Sequence, residues 1–383
     1  MKFQTASSFA FLALLQSSST SPTILPVVGS HCYDVAITTQ LLTDTQRRDP
    51  FANDGRPRSI MISSFYPTKS CREHAVERYM PPATAAFQND KFAAYGLPNG
   101  SFEALGLKTC KMMAKPPTRI PSSLPLVLFS GALSTSRLLY SNMLQSIAAA
   151  GYTVVSIDHP YDADAVEYPN GTLIRGVPLD SDADIELALA TRVADIRFVY
   201  DHLASTSASN QAAPRLLPGL PRRRAPKTAV IGHSLGGAAA AAALLAMPVL
   251  QGGLNLDGSL FGRVLTTGLD RPFMLVGHAN KTQATDPSWA AVWTLLRGWK
   301  REFEVTKAAH YSFSDLPAAV AALGLQDVLP VEVGEVLGRI EGGRMAGLTV
   351  RYVCAFLDRT LKGVQTGFLD GGSGEFPEVK RVA

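Results

Sequence analysis

From residue 124 onward the chain alternates short, wholly apolar runs with longer segments in which apolar residues recur every three or four positions. The runs cover residues 124–129, 152–157 and 228–231, and the periodic segments between them cover 137–150 and 182–203. Strands apolar on both faces and separated by helices belong to a parallel sheet covered on two sides. In the second segment Ile185, Leu189, Ile196, Val199 and Leu203 fall at helical spacing with charge between them, the pattern of an amphipathic helix. Residues 254–256, 272–276 and 303–306 suit further strands, and a last helix is expected over about 348–361. Ahead of this alternation, residues 33–43 and 59–66 read as strands. Asp49-Pro50 and Asn53-Asp54-Gly55 supply turns between them, which predicts an N-terminal antiparallel hairpin. Residues 69–117 show no clean period and carry Pro81-Pro82 and Leu97-Pro98-Asn99-Gly100. They are expected outside the sheet, as a lid or brace.

A chain of 383 residues with 46% hydrophobic content can bury one large core. One α/β domain over 22–383, with the excursion at 69–117, is the expected organisation. Lys2, an apolar run over 9–15 and small or polar residues over 16–21 follow one another as in a secretory signal peptide, and the run is too short to cross a bilayer. Asn99, Asn170 and Asn280 head Asn-x-Ser/Thr sequons, glycan acceptors if the chain is secreted. Four cysteines then allow three pairings. Cys71 with Cys110 is the expected disulfide, because the two bracket the excursion. Cys354 shares a helical face with Val350, Leu357 and Leu361 and reads as a buried small hydrophobe; Cys32 is left to pair with it or stay free.

The net charge of +4 is modest, and its main cluster, Arg222-Arg223-Arg224, lies in a Pro/Ser/Ala-rich stretch that reads as a solvated loop. No segment interleaves basic and aromatic residues, so nucleic acid is not an expected partner. His74, His159, His202 and His233 show no ligand spacing with nearby cysteines or acids, and no metal or cofactor is expected. Trp289 and Trp293 stand four apart, which favours one face of a core helix over a lipid-facing rim.

The candidate chemistry centres on Thr228-Ala229-Val230-Ile231-Gly232-His233-Ser234-Leu235-Gly236-Gly237, followed by an alanine-rich run. An apolar strand that breaks into G-x-S-x-G and then into a helix former is a nucleophile elbow. Gly232 and Gly236 are needed where a Cβ would collide with backbone. A serine hydroxyl is a weak nucleophile and needs a base held by a third group. In α/β-hydrolases the chain order is Ser, acid, His. Only His278 and His310 follow Ser234. His310 stands after the last expected strand and is the candidate base; His278 comes early and either lines the site or caps a strand, the cap being the favoured reading. Asp257, at the carboxyl end of one strand, and Asp286, after the next, are both open as the acid, whereas Asp270 precedes a strand and reads as a turn residue. The loop Ser130-Gly131-Ala132-Leu133-Ser134 should supply the second oxyanion donor, the backbone N–H of Leu133, beside that of Leu235.

Several blocks taken in order resemble the platelet-activating-factor acetylhydrolases of plasma type, secreted fungal relatives above all. They are Phe129-Ser130-Gly131 with Arg137-Leu138-Leu139-Tyr140, Ile157-Asp158-His159-Pro160, Gly232-His233-Ser234-Leu235-Gly236-Gly237, Leu254-Asn255-Leu256-Asp257-Gly258 and His310-Tyr311-Ser312-Phe313-Ser314-Asp315-Leu316. The resemblance implies an α/β-hydrolase fold and Asp257 rather than Asp286 as the acid. It also implies a metal-independent esterase acting on short or oxidised acyl chains of phospholipids, with a lipid surface as an open partner. One departure is visible: the family usually writes His-Gly before the oxyanion donor, and here the pair is Gly131-Ala132. Three readings follow for the chain: a secreted serine esterase of this kind, a cutinase-like or polyester-active carboxylesterase with the same triad, and a catalytically idle α/β-hydrolase fold used for binding.

Overall fold

The computed structural model describes residues 21–69, 71–111, 124–209, 226–371 and 374–383. Residues 1–20 of the leader expected over 1–21, and the arginine cluster at 222–224, lie outside the described residues. Nine strands form one sheet. In chain order they are β1 (Asp34–Arg48), β2 (Pro57–Thr68), β3 (Leu126–Ser130), β4 (Thr153–Ile157), β5 (Thr228–His233), β6 (Leu250–Leu256), β7 (Phe273–Gly277), β8 (Lys300–Val305) and β9 (Val379–Arg381). Their order across the sheet is β9-β8-β7-β6-β5-β3-β4-β2-β1. Pairing is parallel from β4 through β8 and antiparallel at both flanks, where β1–β2 is the N-terminal hairpin and β9 closes the far edge. The chain therefore has an α/β-hydrolase fold.

Alternate residues of each central strand feed opposite cores. Val127 and Phe129 of β3 pack on the side of helix α2 (Ser141–Ala149) and helix Gly342–Leu357. Leu126 and Leu128 pack on the side of α3 (Asp182–Ser209) and α4 (Leu235–Ala246). Each large side chain fully buried contributes about 1.5–3 kcal/mol, so a strand used on both faces reads as an unbroken apolar run. Small alanine methyls on α4 let that helix lie close to the sheet, and alanine is also the best helix former. Helix α3 opens on a reciprocal cap in which Ser181 and Asp184 exchange side-chain and backbone hydrogen bonds.

Two departures from the sequence reading have local causes. The last helix begins at Gly342, earlier than expected, because Glu341 caps it by accepting from the Gly343 and Arg344 N–H groups; two poor helix formers at its start hide this onset. Strand β9 escaped notice because it is short and carries Lys380 and Arg381. Of the segment over 69–117, the described part holds strands His74–Arg78 and Leu105–Cys110, which join Thr23–Ile24 in a separate three-stranded sheet, and the first helix, α1 (Pro82–Ala93). Cys71 and Cys110 are disulfide-bonded there. Cys32 is exposed and free. Cys354 is buried and free, and burial pushes its thiol up to about 12.

Asp315 ties this brace to the rest. Its buried carboxylate accepts from the Asn142 and Met143 N–H groups at the start of α2, at 2.7 and 2.9 Å, and from the Tyr79 hydroxyl at 2.9 Å. Replacing Asp315 with Ala strands three buried donors. The expected loss is about 2–4 kcal/mol of unfolding free energy, read from the denaturant midpoint at unchanged m; a loss below about 0.5 kcal/mol would contradict this role.

Candidate active site

Ser234 occupies the turn between β5 and α4 at φ 57°, ψ −125°. A non-glycine residue in this region is strained, and close packing around the turn holds it there. A Cβ at Gly232 would overlap the Gly236 carbonyl, and one at Gly236 would overlap the Ser130 carbonyl. The Ser234 N–H is anchored to the Leu256 carbonyl at 2.8 Å. Asp257 follows β6 directly, at φ 61°. The Asn255 side chain holds this turn, its Oδ1 accepting from the Gly258 N–H and its Nδ2 donating to the Gly258 carbonyl. His310 stands at the head of a short turn, His310–Phe313, after β8. Ser312 Oγ secures that turn, accepting from the Ala309 N–H and donating to the Leu337 carbonyl.

These three loops bring the sequence-predicted residues together. His310 Nε2 lies 3.0 Å from Ser234 Oγ, and His310 Nδ1 lies 2.5 Å from Asp257 Oδ2. Burial pushes the Asp257 carboxyl up, but hydrogen bonds and charge from His278 and His310 outweigh it and hold the group at about 2. The ionised carboxylate only accepts, so the His310 Nδ1 carries the proton and the Nε2 lone pair faces the serine hydroxyl.

Asp286 is elsewhere occupied. It caps helix Pro287–Trp293 through the Ser288 and Trp289 N–H groups, and it accepts from Ser259 Oγ and Lys281 Nζ. Asp270 is exposed beside Arg271. The capping reading of His278 was incomplete: its backbone N–H does donate to Asp257 Oδ1 at 2.9 Å, but its ring Nδ1 also lies 2.6 Å from that oxygen. The carboxylate thus receives two imidazoles. Trp289 is buried, and its indole N–H donates to the Gly258 carbonyl behind the acid.

The loop expected to carry the second oxyanion donor follows β3. Arg192 of α3, fully buried, donates to the Gly131 carbonyl at 2.5 Å and the Ala132 carbonyl at 3.2 Å, and Asp162 grips its guanidinium from the other side. Ala132 and Ser134 spend their N–H groups on Tyr140 Oη and the Asp162 carbonyl. The Leu133 N–H between them has no acceptor among the described residues. Because the peptide is trans, pinning the Ala132 carbonyl aims the Leu133 N–H in the opposite direction. Leu235 is the first residue of α4, so its N–H has no preceding turn to bond. Sequence reasoning missed Arg192 and Tyr140. The available signal was a charge inside an apolar stripe: Arg192 and Asp195 sit among Ala188, Leu189, Ile196 and Val199 on the buried face of α3.

His233, the residue before the serine, is fully buried, and burial with the neighbouring His310 lowers its pKa to about 3. The unfolded chain takes up a proton there below about pH 6.5, whereas the folded chain refuses it until about pH 3. This contribution to stability is therefore present above pH 6.5 and lost on acidification, at up to about 1.4 kcal/mol per pH unit. Denaturant titrations of wild type and His233→Gln should show a stability gap that narrows between pH 6 and pH 4; a gap independent of pH would contradict the neutral buried ring.

Among the described residues, two clusters have the ligand atoms for a metal, and both have those atoms engaged elsewhere. His233, Asp257 and His310 spend their facing atoms on hydrogen bonds, and Cys71, near Asp34 and His74, is in the disulfide.

Comparison with known proteins places the chain among esterases. The family pattern described as "Platelet-activating factor acetylhydrolase, isoform II" matches residues 53–170. A relative from Arthroderma benhamiae, named "Probable 1-alkyl-2-acetylglycerophosphocholine esterase", is 31% identical over 360 residues, spanning 88% of this chain and 88% of the relative. A solved ferulic acid esterase from Streptomyces cinnamoneus superposes with a TM-score of 0.77 at 27% identity, covering 94% of this chain and 99% of that one. On the strength of that near full-length likeness, the chain belongs to the platelet-activating factor acetylhydrolase, isoform II, family and is a carboxylic ester hydrolase.

Proposed function

We propose that the protein is a secreted serine esterase that removes short or oxidised acyl chains from phospholipids through an acyl-enzyme. One observation carries the catalytic part: a serine hydroxyl, an imidazole and a buried carboxylate in hydrogen-bonded series, at 3.0 and 2.5 Å. Ser234 Oγ attacks the ester carbonyl while His310 Nε2 takes its proton, and the carbonyl electrons move onto oxygen facing the Leu133 and Leu235 N–H groups. Collapse of that intermediate breaks the acyl–oxygen bond, and His310 returns the proton to the leaving alcohol. Water, deprotonated by His310, then attacks the acyl-enzyme and releases the acid and free Ser234. Asp257 holds the His310 tautomer and stabilises the imidazolium. The substrate class is supported by the name of the Arthroderma benhamiae relative.

Export is supported by the order of charge and hydrophobicity over residues 1–21, and by sequons whose Asn99, Asn170 and Asn280 are all exposed. No helix among the described residues is long and apolar enough to cross a membrane.

A second reading, a carboxylesterase of soluble or polymeric esters, draws on the ferulic acid esterase likeness. The two separate on a substrate ladder: purified protein assayed on phosphatidylcholines with sn-2 acetyl to long acyl groups, on feruloyl esters and on a polyester film. Preference for sn-2 acetyl phospholipid is the expected result. Turnover of feruloyl or polymeric esters alone would replace the first reading with the second.

A further inference from the structure

We propose that Tyr140 and His233 form a buried hydrogen-bonded strut that keeps the oxyanion loop and the base loop in register, which makes both of them positioning residues for ester hydrolysis. The inference rests on the serine-nucleophile reading above. Three contacts make the strut: the Ala132 N–H donates to Tyr140 Oη at 3.0 Å, Tyr140 Oη lies 2.8 Å from His233 Nδ1, and His233 Nε2 lies 2.9 Å from the His310 carbonyl.

The direction of every proton follows. A carbonyl can only accept, so the His233 Nε2 carries the hydrogen. The ring is neutral, which leaves Nδ1 an acceptor and makes the Tyr140 hydroxyl its donor. A lone pair of that hydroxyl then receives the Ala132 N–H. One line of hydrogen bonds thus runs from the residue before the Leu133 donor to the backbone of the candidate base. Tyr140 and His233 are both fully buried, so water cannot compete for these groups.

Packing stiffens the same line. The Tyr140 ring lies 4.7 Å from that of Phe129, and the His233 ring lies 4.7 Å from that of His310. A Cβ at Gly131 would come within 2.8 Å of Tyr140 Cε2, so the oxyanion loop rests directly on the tyrosine. Arg192 grips the carbonyls of the loop while Tyr140 takes its N–H. An oxyanion donor contributes only when it stands about 2.7–3.1 Å from the developing charge, so a small loop shift weakens it.

The test compares wild type, Tyr140→Phe, His233→Asn and the double variant, with p-nitrophenyl acetate as substrate and phenylboronic acid as tetrahedral mimic, below each variant's thermal transition. Tyr140→Phe keeps the ring and its packing and removes only the hydroxyl. Each single change should lower kcat by about 10- to 100-fold with KM within about 3-fold of wild type, since the interaction lost serves the transition state. The boronic acid should bind more weakly by a similar factor. Breaking one strut twice adds little, so the double variant should lie within about 3-fold of the worse single. Should Tyr140→Phe fail to fold, His233→Asn and His233→Gln carry the same comparison. A kcat within about 3-fold of wild type, or losses that multiply in the double variant, would overturn the strut. Ser234→Ala is assayed alongside: wild-type turnover in that variant would overturn the nucleophile reading and the strut together, whereas an inactive Ser234→Ala beside a fully active Tyr140→Phe would overturn the strut alone.

Discussion

Ser234→Ala is expected to lower kcat on any ester substrate by about 10^5- to 10^6-fold, the scale on which other serine hydrolases lose activity when the nucleophile is removed. The reason is local. In the proposed mechanism His310 receives the proton of the Ser234 hydroxyl and Asp257 stabilises the cation that results, as their hydrogen-bonded series allows. Without the hydroxyl the site can at best direct water, helped only by the oxyanion donors. The methyl of alanine fits wherever the serine Cβ already sits, so the fold should survive. Thermal unfolding of the variant within a few degrees of wild type would show that lost activity is lost chemistry. A kcat reduced less than about 100-fold would mean that another group attacks the ester.

The second large effect separates the two aspartates that the residue pattern left open. Asp257→Asn should lower kcat by about 10^4-fold. An amide at that position cannot fix the His310 tautomer with Nδ1 protonated, nor offset the imidazolium charge. It also presents an N–H group toward one of two rings that both need an acceptor, since His278 Nδ1 shares the carboxylate with His310. Asp286→Asn should leave kcat within about 3-fold and appear instead as a loss of stability of about 1–2 kcal/mol, because Asp286 is a helix cap and the partner of Lys281. Steady-state kinetics and denaturant unfolding on both variants check the pair. The reverse pattern would transfer the acid to Asp286.

Much of this was legible in the sequence because each feature had a short-range cause. The central strands are apolar on both faces and α3 repeats Leu189, Ile196, Val199 and Leu203 at helical spacing, so the parallel sheet could be read directly. The elbow announces itself through glycines that backbone contacts demand. Asp257 was harder. Strand-end position alone allows Asp286 as well, and only the resemblance of Leu254-Asn255-Leu256-Asp257-Gly258 to the family pattern tipped the choice. The Asn255 turn that points the carboxylate inward is the physical content of that block.

What stayed hidden depends on distant partners. For His278 the strand cap was favoured over lining the site, because nothing within its own strand shows that it would share Asp257 across 21 positions of sequence. Arg192 looked like an ordinary position of its helix, and Tyr140 stood inside a resemblance block with no role attached, yet one holds loop carbonyls 60 and 61 positions away and the other meets His233 across 93. Short-range patterns report strands, helices and turns; they do not report which buried polar groups will find one another.

A single, activated serine lies at the centre of the proposed chemistry. The most direct measurement is intact-mass and peptide mapping after brief treatment with a fluorophosphonate, run on wild type, Ser234→Ala and Asp257→Asn. One adduct per chain on the Ser234 peptide, none in Ser234→Ala, and much slower labelling in Asp257→Asn is the predicted result. Rapid stoichiometric labelling that survives in Ser234→Ala, or no labelling of a wild-type protein that hydrolyses esters, would contradict it.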